Sequence, residues 1–237
     1  MENLKILYDN TAVNGFTPDW GFSALVELSE EMILFDTGAK IEVLAENMER
    51  FVVDPSEIDT VFISHNHWDH IGGLPYLIEK NGNFELFIPE PDCPEFEENL
   101  PESVICVPIS APTYISERAI STGMMTTGME KPAYEHSLIV RTAEGFLLLT
   151  GCSHPGIVEI AKKAVTICGE ELFLIVGGFH LYKLPDENII KVAEELKRFT
   201  HFVAPCHCTG ERGIELFREI WKDRFVEAAA GVEIPLE

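Results

Sequence analysis

The sequence predicts a layered α/β protein that folds as one domain over residues 1–237. Short apolar runs with strand-like composition alternate with segments whose apolar residues recur at helical spacing. The chain is 46% hydrophobic, which suffices for one core, and single domains of about 200 to 250 residues are common in layered architectures. Six of the eight histidines directly follow predicted strands, as expected when polar groups gather at the carboxyl edge of a sheet.

The first half of the chain is predicted to begin as a strand meander. Its strands are expected at residues 4–8, 22–28, 32–35 and 60–64. A helix is expected within residues 39–52, where apolar side chains recur at helical spacing before Asp54 and Pro55 end the element. Residues 91–135 are less regular, with short strands expected at 104–108 and 114–116. Their methionines are interpreted either as an adaptable pocket lining or as core: Met124, Met125 and Met129.

A strand, a histidine-containing turn and a helix recur three times in the second half. The strand at 145–150 leads to His154, the strand at 172–176 to His180, and the strand at 202–204 to His207. The helices are expected after Pro155-Gly156, over residues 186–199, and from Thr209 as N-cap to about Trp221. Because all three turns follow strand ends, their histidines are predicted to share one site.

The densest cluster of metal-ligand residue types lies in the segment VFISHNHWDHIGG, at the end of a predicted strand. Imidazole nitrogen and carboxylate oxygen are ligands of borderline-soft divalent metals. Residues two apart point the same way after a strand, so His65 and His67 are expected to bind one ion. Asp69 and His70, at the start of a helix, are expected to turn toward a second ion, with Trp68 facing the core. A polar loop with chance histidines is the disfavoured alternative.

The remaining candidates are single residues. His154, in a polar turn, and His207, between two cysteines, are predicted metal ligands. Three roles are left open for His180. It could be a metal ligand, it could contact the substrate as an acid or base, or it could be a buried structural histidine. Asp36 follows a strand and is predicted to orient a metal-bound imidazole, with an ordinary turn aspartate as the alternative. Cys206 and Cys208 are expected to be small buried hydrophobic residues.

Composition disfavours several classes of function. The formal net charge of −23 at pH 7 opposes broad contact with nucleic-acid phosphates, which depends on Lys and Arg. The chain shows no leader-like start and no apolar stretch near the roughly 18 residues of a membrane span, so a cytoplasmic protein without membrane contact is expected. The six cysteines are predicted to be reduced thiols. The sequence does not determine the oligomeric state, and a homo-oligomer is one of the alternatives left open.

Taken in order, the motifs resemble the metallo-β-lactamase superfamily over the whole chain: Asp36, His65-x-His67-x-Asp69-His70 with Gly72-Gly73, His154 and His207. The resemblance implies an αβ/βα four-layer sandwich in which two mixed sheets face each other and metals lie at one edge. More narrowly, the segments ILYDN, GFSALVE, LTGCSHPGI, GGFHL and APCHCTG resemble the subgroup that includes the archaeal dihydropterin synthase of methanopterin biosynthesis.

The resemblance also implies a ligand set for one or two divalent ions, with zinc expected first and manganese or iron fitting the same donors. It gives His65, His67 and His154 to one metal, and Asp69, His70 and His207 to the other. Many two-metal members have a bridging aspartate where this chain has Phe179-His180. A fully occupied, tightly bridged pair is therefore not expected from the motifs alone.

The leading functional hypothesis is a metal-dependent hydrolase of a small anionic ester, in which Asp69 holds a metal-activated water and His180 acts as proton donor or anion contact. The anionic substrate is suggested by the helix N-termini after His154 and at Thr209. Arg212 is interpreted as an exposed helix residue rather than a substrate contact. The alternative is a transferase that condenses a pterin-type methyl diphosphate with an arylamine phosphate, and a third interpretation is a metal-binding protein without turnover.

Overall fold

Two units, each with its own mixed β-sheet, make up the computed structural model, which describes residues 2–237. The first unit runs to Ser110 and includes the C-terminal segment Ala229–Glu237. The second unit comprises Ala111–Ala228. Each unit has its own helices and its own apolar core.

The first unit contains a seven-stranded sheet with the order β15-β1-β2-β3-β4-β5-β6. The pairs from β15 to β3 are antiparallel and those from β3 to β6 are parallel. The strands are β1 Asn3–Tyr8, β2 Ser23–Glu27, β3 Met32–Phe35, β4 Thr60–Phe62, β5 Glu85–Pro89, β6 Ile105–Ile109 and β15 Glu233–Pro235. The helices are α1 Ile41–Arg50, α2 Trp68–Ile71, α3 Leu74–Lys80 and α4 Cys93–Glu97.

The parallel register of the first sheet places its ligand-bearing turns together. Phe35 at the end of β3 is the register partner of Phe62 at the end of β4. The segments after these residues, which begin with Asp36 and Ile63, therefore leave the sheet at the same edge. Helices α1 and α3 pack with this sheet around one buried cluster that includes Leu44, Val61 and Leu77.

The second unit contains a six-stranded sheet with the order β14-β13-β12-β11-β8-β7 and a separate β9-β10 pair. Strands β12, β13 and β14 are parallel, and the remaining pairs are antiparallel. The strands are β7 Thr113–Tyr114, β8 Ala119–Ser121, β9 Met125–Thr126, β10 Tyr134–Glu135, β11 Leu138–Arg141, β12 Phe146–Thr150, β13 Leu172–Gly178 and β14 Thr200–Cys206. The helices are α5 Ile157–Cys168, α6 Asp186–Leu196 and α7 Glu211–Trp221.

Register in the second sheet aligns the ends of its three parallel strands. Thr150 of β12 pairs with Gly177 of β13, and Gly177 pairs with Pro205 of β14. The turns that carry Cys152, His180 and His207 consequently follow one edge of this sheet. Helices α5, α6 and α7 cover a core that includes one buried residue from each parallel strand: Leu148, Ile175 and Val203.

Several local expectations were wrong. Thr209 does not cap α7: Gly210 occupies the N-cap position, and Thr209 Oγ1 instead accepts a hydrogen bond from Phe179 N at 3.0 Å. Trp68 is 62% exposed, because residues 68–71 form a helical turn in place of a continuing strand.

Met125 packs against the second core, in agreement with the core interpretation. Among the described residues, no helix is long and apolar enough to cross a bilayer.

The expectation of six reduced thiols was wrong for one pair. Cys93 at the start of α4 and Cys106 in β6 form a disulfide, with Cα atoms 6.4 Å apart. The parallel crossover from β5 through α4 to β6 brings the two residues together across 13 positions of sequence. Spacing alone does not reveal such a pair. The other four cysteines are thiols: Cys152, Cys168, Cys206 and Cys208.

Candidate metal-binding residues of each unit

Asp36 organises the ligand motif of the first unit. Its carboxylate accepts hydrogen bonds from Ser64 N, Ser64 Oγ and His70 Nδ1, each at 2.7 Å. Burial raises the pKa of Asp36, while the hydrogen bonds from His70 and Ser64 act in the opposite direction. The carboxylate fixes the His70 ring so that Nε2 is the nitrogen that can bind a metal. Asp36 therefore contacts the imidazole of a predicted ligand, while its role in orienting a metal-bound ring stays a prediction.

His65 and His67 bring two ring nitrogens together. Ser64 Oγ donates its single hydrogen to Asp36, so it accepts from His65 Nδ1 at 2.9 Å. The opposite nitrogen, His65 Nε2, lies 3.1 Å from His67 Nδ1. Two nitrogen ligands at zinc distances of about 2.0–2.1 Å would be separated by about 3.3 Å in tetrahedral geometry. The observed spacing fits two ligands of one ion.

Asp69 is held by a tryptophan that the sequence analysis did not identify. Trp20 Nε1 donates to Asp69 Oδ2 at 2.8 Å, across 49 positions of sequence. Asp69 is only 6% exposed, whereas Trp20 is 41% exposed. The indole restrains one carboxylate oxygen and thereby sets the orientation of the other.

Gly72 and Gly73 let the ligand helix α2 approach the segment after Asp36. A Cβ on Gly72 would lie 2.0 Å from Ala39 O, and a Cβ on Gly73 would lie 2.3 Å from Thr37 O. The close approach allows Thr37 N to donate to His70 O at 2.7 Å. The two glycines are thus needed to hold His70 against Asp36.

Glu135 organises the ligand turn of the second unit. Its Oε1 accepts from Cys152 N and Ser153 N at 2.9 and 2.7 Å, and its Oε2 accepts from His154 N and His154 Nδ1, both at 2.8 Å. Burial opposes ionisation of Glu135, but the hydrogen bonds from His154 and Ser153 outweigh it and lower the pKa of Glu135. Glu135 was not among the predicted site residues, although a glutamate shortly before the apolar run Leu138-Ile139-Val140 was a usable signal.

His207 lies beside a thiol. Its Nε2 is 3.4 Å from Cys152 Sγ, and both residues are buried. The backbone of His207 is left-handed, with φ +48°. This conformation turns the chain out of β14 and into a 3-10 turn over His207–Thr209, which places the imidazole at the end of the strand.

His180 and Cys208 interact in the same unit. A hydrogen bond with the Cys208 thiol is the main reason that the pKa of His180 is raised. Burial opposes ionisation of Cys208, but hydrogen bonds from Cys152 and His180 lower its pKa to about 6. Cys208 is buried as expected, at 2% exposed, but its thiol also interacts with polar neighbours.

Backbone strain is concentrated in these motifs. Among the described residues, six that are not glycine have positive φ. Four of them occur at the motif turns: Asp36, Ser153, His180 and His207. Left-handed conformations of such residues cost roughly 1–3 kcal/mol and persist where surrounding structure enforces them, commonly at functional sites.

A cavity of about 340 Å³ opens beside His154 and His180 in the second unit. Its apolar wall includes Leu181, Leu184 and Val192. The size is at the lower end of the range for small-molecule sites. Arg212 does not line it, since its guanidinium is paired with Asp186 at 2.6 Å and Glu215 at 2.9 Å and is 54% exposed. This agrees with the interpretation of Arg212 as a surface residue.

The donor chemistry of both units fits divalent metal ions. In each unit a buried carboxylate fixes a histidine through Nδ1, namely Asp36 with His70 and Glu135 with His154. Carboxylate–histidine pairs of this kind orient metal ligands and raise their basicity. In both pairs Nδ1 faces the carboxylate, so Nε2 is the ring nitrogen that could bind a metal. The assignment of the six predicted ligands to one centre stays a prediction from the motifs.

Comparisons with known proteins agree with this chemistry. Residues 17–155 match the model of the metallo-beta-lactamase superfamily. An uncharacterized protein of Methanocaldococcus jannaschii is 31% identical, with 89% of this chain and 92% of the relative covered. From the same organism, 7,8-dihydropterin-6-methyl-4-(beta-D-ribofuranosyl)-aminobenzene-5'-phosphate synthase is 28% identical over 98% of this chain and 96% of its own length.

A solved structure is similar along the whole chain. The crystal structure of a metal-dependent hydrolase of the β-lactamase superfamily has a TM-score of 0.84 and 27% sequence identity, with 99% of both chains covered. The chain belongs to the metallo-β-lactamase superfamily. The predicted αβ/βα fold class with two mixed sheets and the resemblance to the archaeal synthase subgroup are confirmed.

Proposed function

We propose that this chain is a metal-dependent hydrolase of a small anionic ester, with a phosphoester as the first substrate class. The observation that carries the proposal is the anchoring of three histidines. Hydrogen-bond partners hold Nδ1 of His65, His70 and His154 at 2.9, 2.7 and 2.8 Å, so that each ring directs Nε2 toward a metal. The proposed ligands are His65, His67, Asp69, His70, His154 and His207.

One or two divalent ions, zinc first and manganese or iron as alternatives, would lower the pKa of bound water to about 7 and polarise the ester. Asp69 orients the attacking water, because Trp20 restrains its carboxylate at 2.8 Å. Asp36 and Glu135 keep their histidines in the tautomer that binds metal. His180 contacts the anionic group of the substrate or protonates its leaving group.

The preference for an anion is supported by two helices of the second unit. Helix α5 begins three residues after His154, and α7 begins four residues after His207. Neither has a side-chain hydrogen bond at its N-cap, so first-turn N–H groups are suitable donors for a phosphate or carboxylate. The cavity of about 340 Å³ beside His154 suits a small substrate.

The test is hydrolysis of bis-nitrophenyl phosphate by metal-loaded protein. We expect activity that a chelator removes and zinc restores. His67→Ala should lower kcat/KM by more than the ~10–100-fold typical of losing an outer partner of a ligand. The matched control is His201→Ala, which removes a histidine whose side chain is 60% exposed and pairs with Glu171. Equal activity in His67→Ala and wild type would assign the hydrolysis to another site.

A transferase is the second candidate, and the similarity to the archaeal synthase over 98% of this chain favours it. In that reaction the same donors would serve to activate the diphosphate leaving group of a pterin-type substrate, which an arylamine phosphate displaces. Diphosphate release that requires both substrates supports the transferase. Release without the amine supports the hydrolase. Metal binding with neither activity supports the third interpretation, a metal-binding protein without turnover.

A further inference from the structure

The second unit contains a cluster of two thiols and one imidazole, and the proposed hydrolase does not use the two thiols. Cys152 Sγ, Cys208 Sγ and a ring nitrogen of His180 lie within 4.8 Å of one another. Cys152 is 4% and Cys208 is 2% exposed. The two thiols come from different turns, after β12 and β14, and His180 comes from the turn after β13. Three separate turns therefore bring their side chains to one point.

The imidazole of this cluster has an unsatisfied atom. His180 Nδ1 is buried and makes no hydrogen bond, and a buried polar atom without a partner is unfavourable. His180 also has φ +52°, a left-handed conformation that is unfavourable for a residue other than glycine. The imidazole therefore has a ring nitrogen that no protein group satisfies.

The backbone leaves room for Cys208 at this point. A Cβ on Gly178 would lie 2.6 Å from Cys208 Sγ and 3.2 Å from His207 Cδ2. Cys208 Sγ also lies 3.4 Å from Cys152 O. The absence of a side chain at Gly178 therefore allows the thiol to reach the cluster.

We propose that Cys152, Cys208 and a ring nitrogen of His180 form a site for a thiophilic d10 cation, with Zn²⁺ as the ion to test. Cysteine sulfur and imidazole nitrogen are the donors that such cations select. With Zn–S at about 2.3 Å and Zn–N at about 2.0–2.1 Å, the two sulfurs and the nitrogen of a tetrahedral site are separated by about 3.6 to 3.8 Å, which lies within the observed limit of 4.8 Å. Two thiolates neutralise the charge of the ion, and three protein donors leave one position for water or substrate.

This site differs in composition from the histidine and aspartate ligands of the proposed hydrolase. Cys152 Sγ, at 3.4 Å from His207 Nε2, lies between the thiol cluster and a predicted ligand. His180 is the one residue that the thiol site shares with the proposed hydrolase. The thiol site can exist whether or not the chain is a hydrolase.

The experiment uses the full chain, stripped of metal and reloaded with Co²⁺ or Zn²⁺. Co²⁺-loaded wild type should show a thiolate-to-Co²⁺ charge-transfer band, and Cys152→Ser and Cys208→Ser should each lose at least half of its intensity. The matched control, Cys168→Ser, removes a thiol outside the cluster and should retain the band. His180→Gln should weaken Co²⁺ binding at this site at least tenfold.

X-ray absorption of Zn²⁺-loaded wild type supplies a measurement that does not depend on folding of the variants. It should show sulfur ligands at about 2.3 Å. A His65→Ala/His67→Ala variant tests whether the thiol site is independent of the proposed hydrolase site. In this variant the thiolate-to-Co²⁺ band should persist while ester hydrolysis is lost. A zinc shell of nitrogen and oxygen alone, or a charge-transfer band equal in Cys208→Ser and wild type, overturns the proposal.

Discussion

Glu135→Gln is expected to damage both stability and metal binding. The wild-type carboxylate accepts four hydrogen bonds of 2.7–2.9 Å while fully buried. Glutamine retains one oxygen for two of these donors and turns an amide NH₂ toward the other two. Hydrogen bonds to a charged group contribute about 1.5–3 kcal/mol each. Loss of two of them predicts about 3–6 kcal/mol, a large fraction of the roughly 5–15 kcal/mol that stabilises a typical domain.

The effect on metal binding has a separate cause. Where the amide NH₂ faces His154 Nδ1, it donates to that nitrogen, and the ring then carries its proton on Nε2. A protonated Nε2 is not a metal ligand. We therefore expect zinc affinity to fall by about 10–100-fold, the range seen when a histidine ligand loses its orienting partner.

The assays are urea unfolding of the metal-free protein and a zinc titration against a competing chelator. Glu144→Gln is the matched control, because it makes the same change at an exposed position and should alter unfolding by less than about 0.5 kcal/mol. The reasoning is refuted if Glu135→Gln unfolds within about 1 kcal/mol of wild type and binds zinc equally well.

The remaining predictions concern pH, Trp20 and Gly72. The folded-state pKa of Glu135 is lowered, so its contribution to stability is present above the unfolded value of about 4.3 and disappears as pH falls through the folded value. Unfolding at acid pH should accordingly depend less steeply on pH in Glu135→Gln than in wild type. Trp20→Phe removes the indole donor to Asp69 and should lower kcat about tenfold. Because Trp20 is partly exposed, the free energy of unfolding should change by less than about 1 kcal/mol. An unchanged kcat would contradict the role given to Trp20. Gly72→Ala places a Cβ 2.0 Å from Ala39 O and should destabilise the folded protein by at least about 2–3 kcal/mol. Gly213→Ala is the control, because the nearest contact of its Cβ is the Thr209 methyl at 3.0 Å. It should have a smaller effect in the same urea assay.

The fold followed from local patterns to a large extent. Strand β3 begins and ends where predicted, at Met32 and Phe35, because its four apolar residues lie between polar turns. Helix α6 begins at Asp186 as expected but ends at Leu196, before the predicted end at residue 199. Strands β13 and β14 are longer than predicted, since backbone pairing with neighbouring strands continues past the apolar run. Pairing of this kind depends on the neighbour and is not encoded in one segment.

The site was predictable where a single turn carries it. His65, His67, Asp69 and His70 lie within six residues, so local spacing sufficed to identify them. Glu135 reaches His154 across 19 positions, and Trp20 reaches Asp69 across 49. These contacts depend on which strands and loops become neighbours. No periodicity in the sequence reports that arrangement.

Cys208 illustrates the physical limit most clearly. Its expected place, opposite His207 and inside the core, assumed that the strand alternation continues through both residues. The strand instead ends at Cys206, and the left-handed backbone of His207 begins a 3-10 turn. This single change of conformation brings the Cys208 thiol to His180 and Cys152. Cys208 was interpreted as a core-packing residue and thereby becomes a candidate ligand, because the φ angle of His207 decides on which face of the chain the thiol lies.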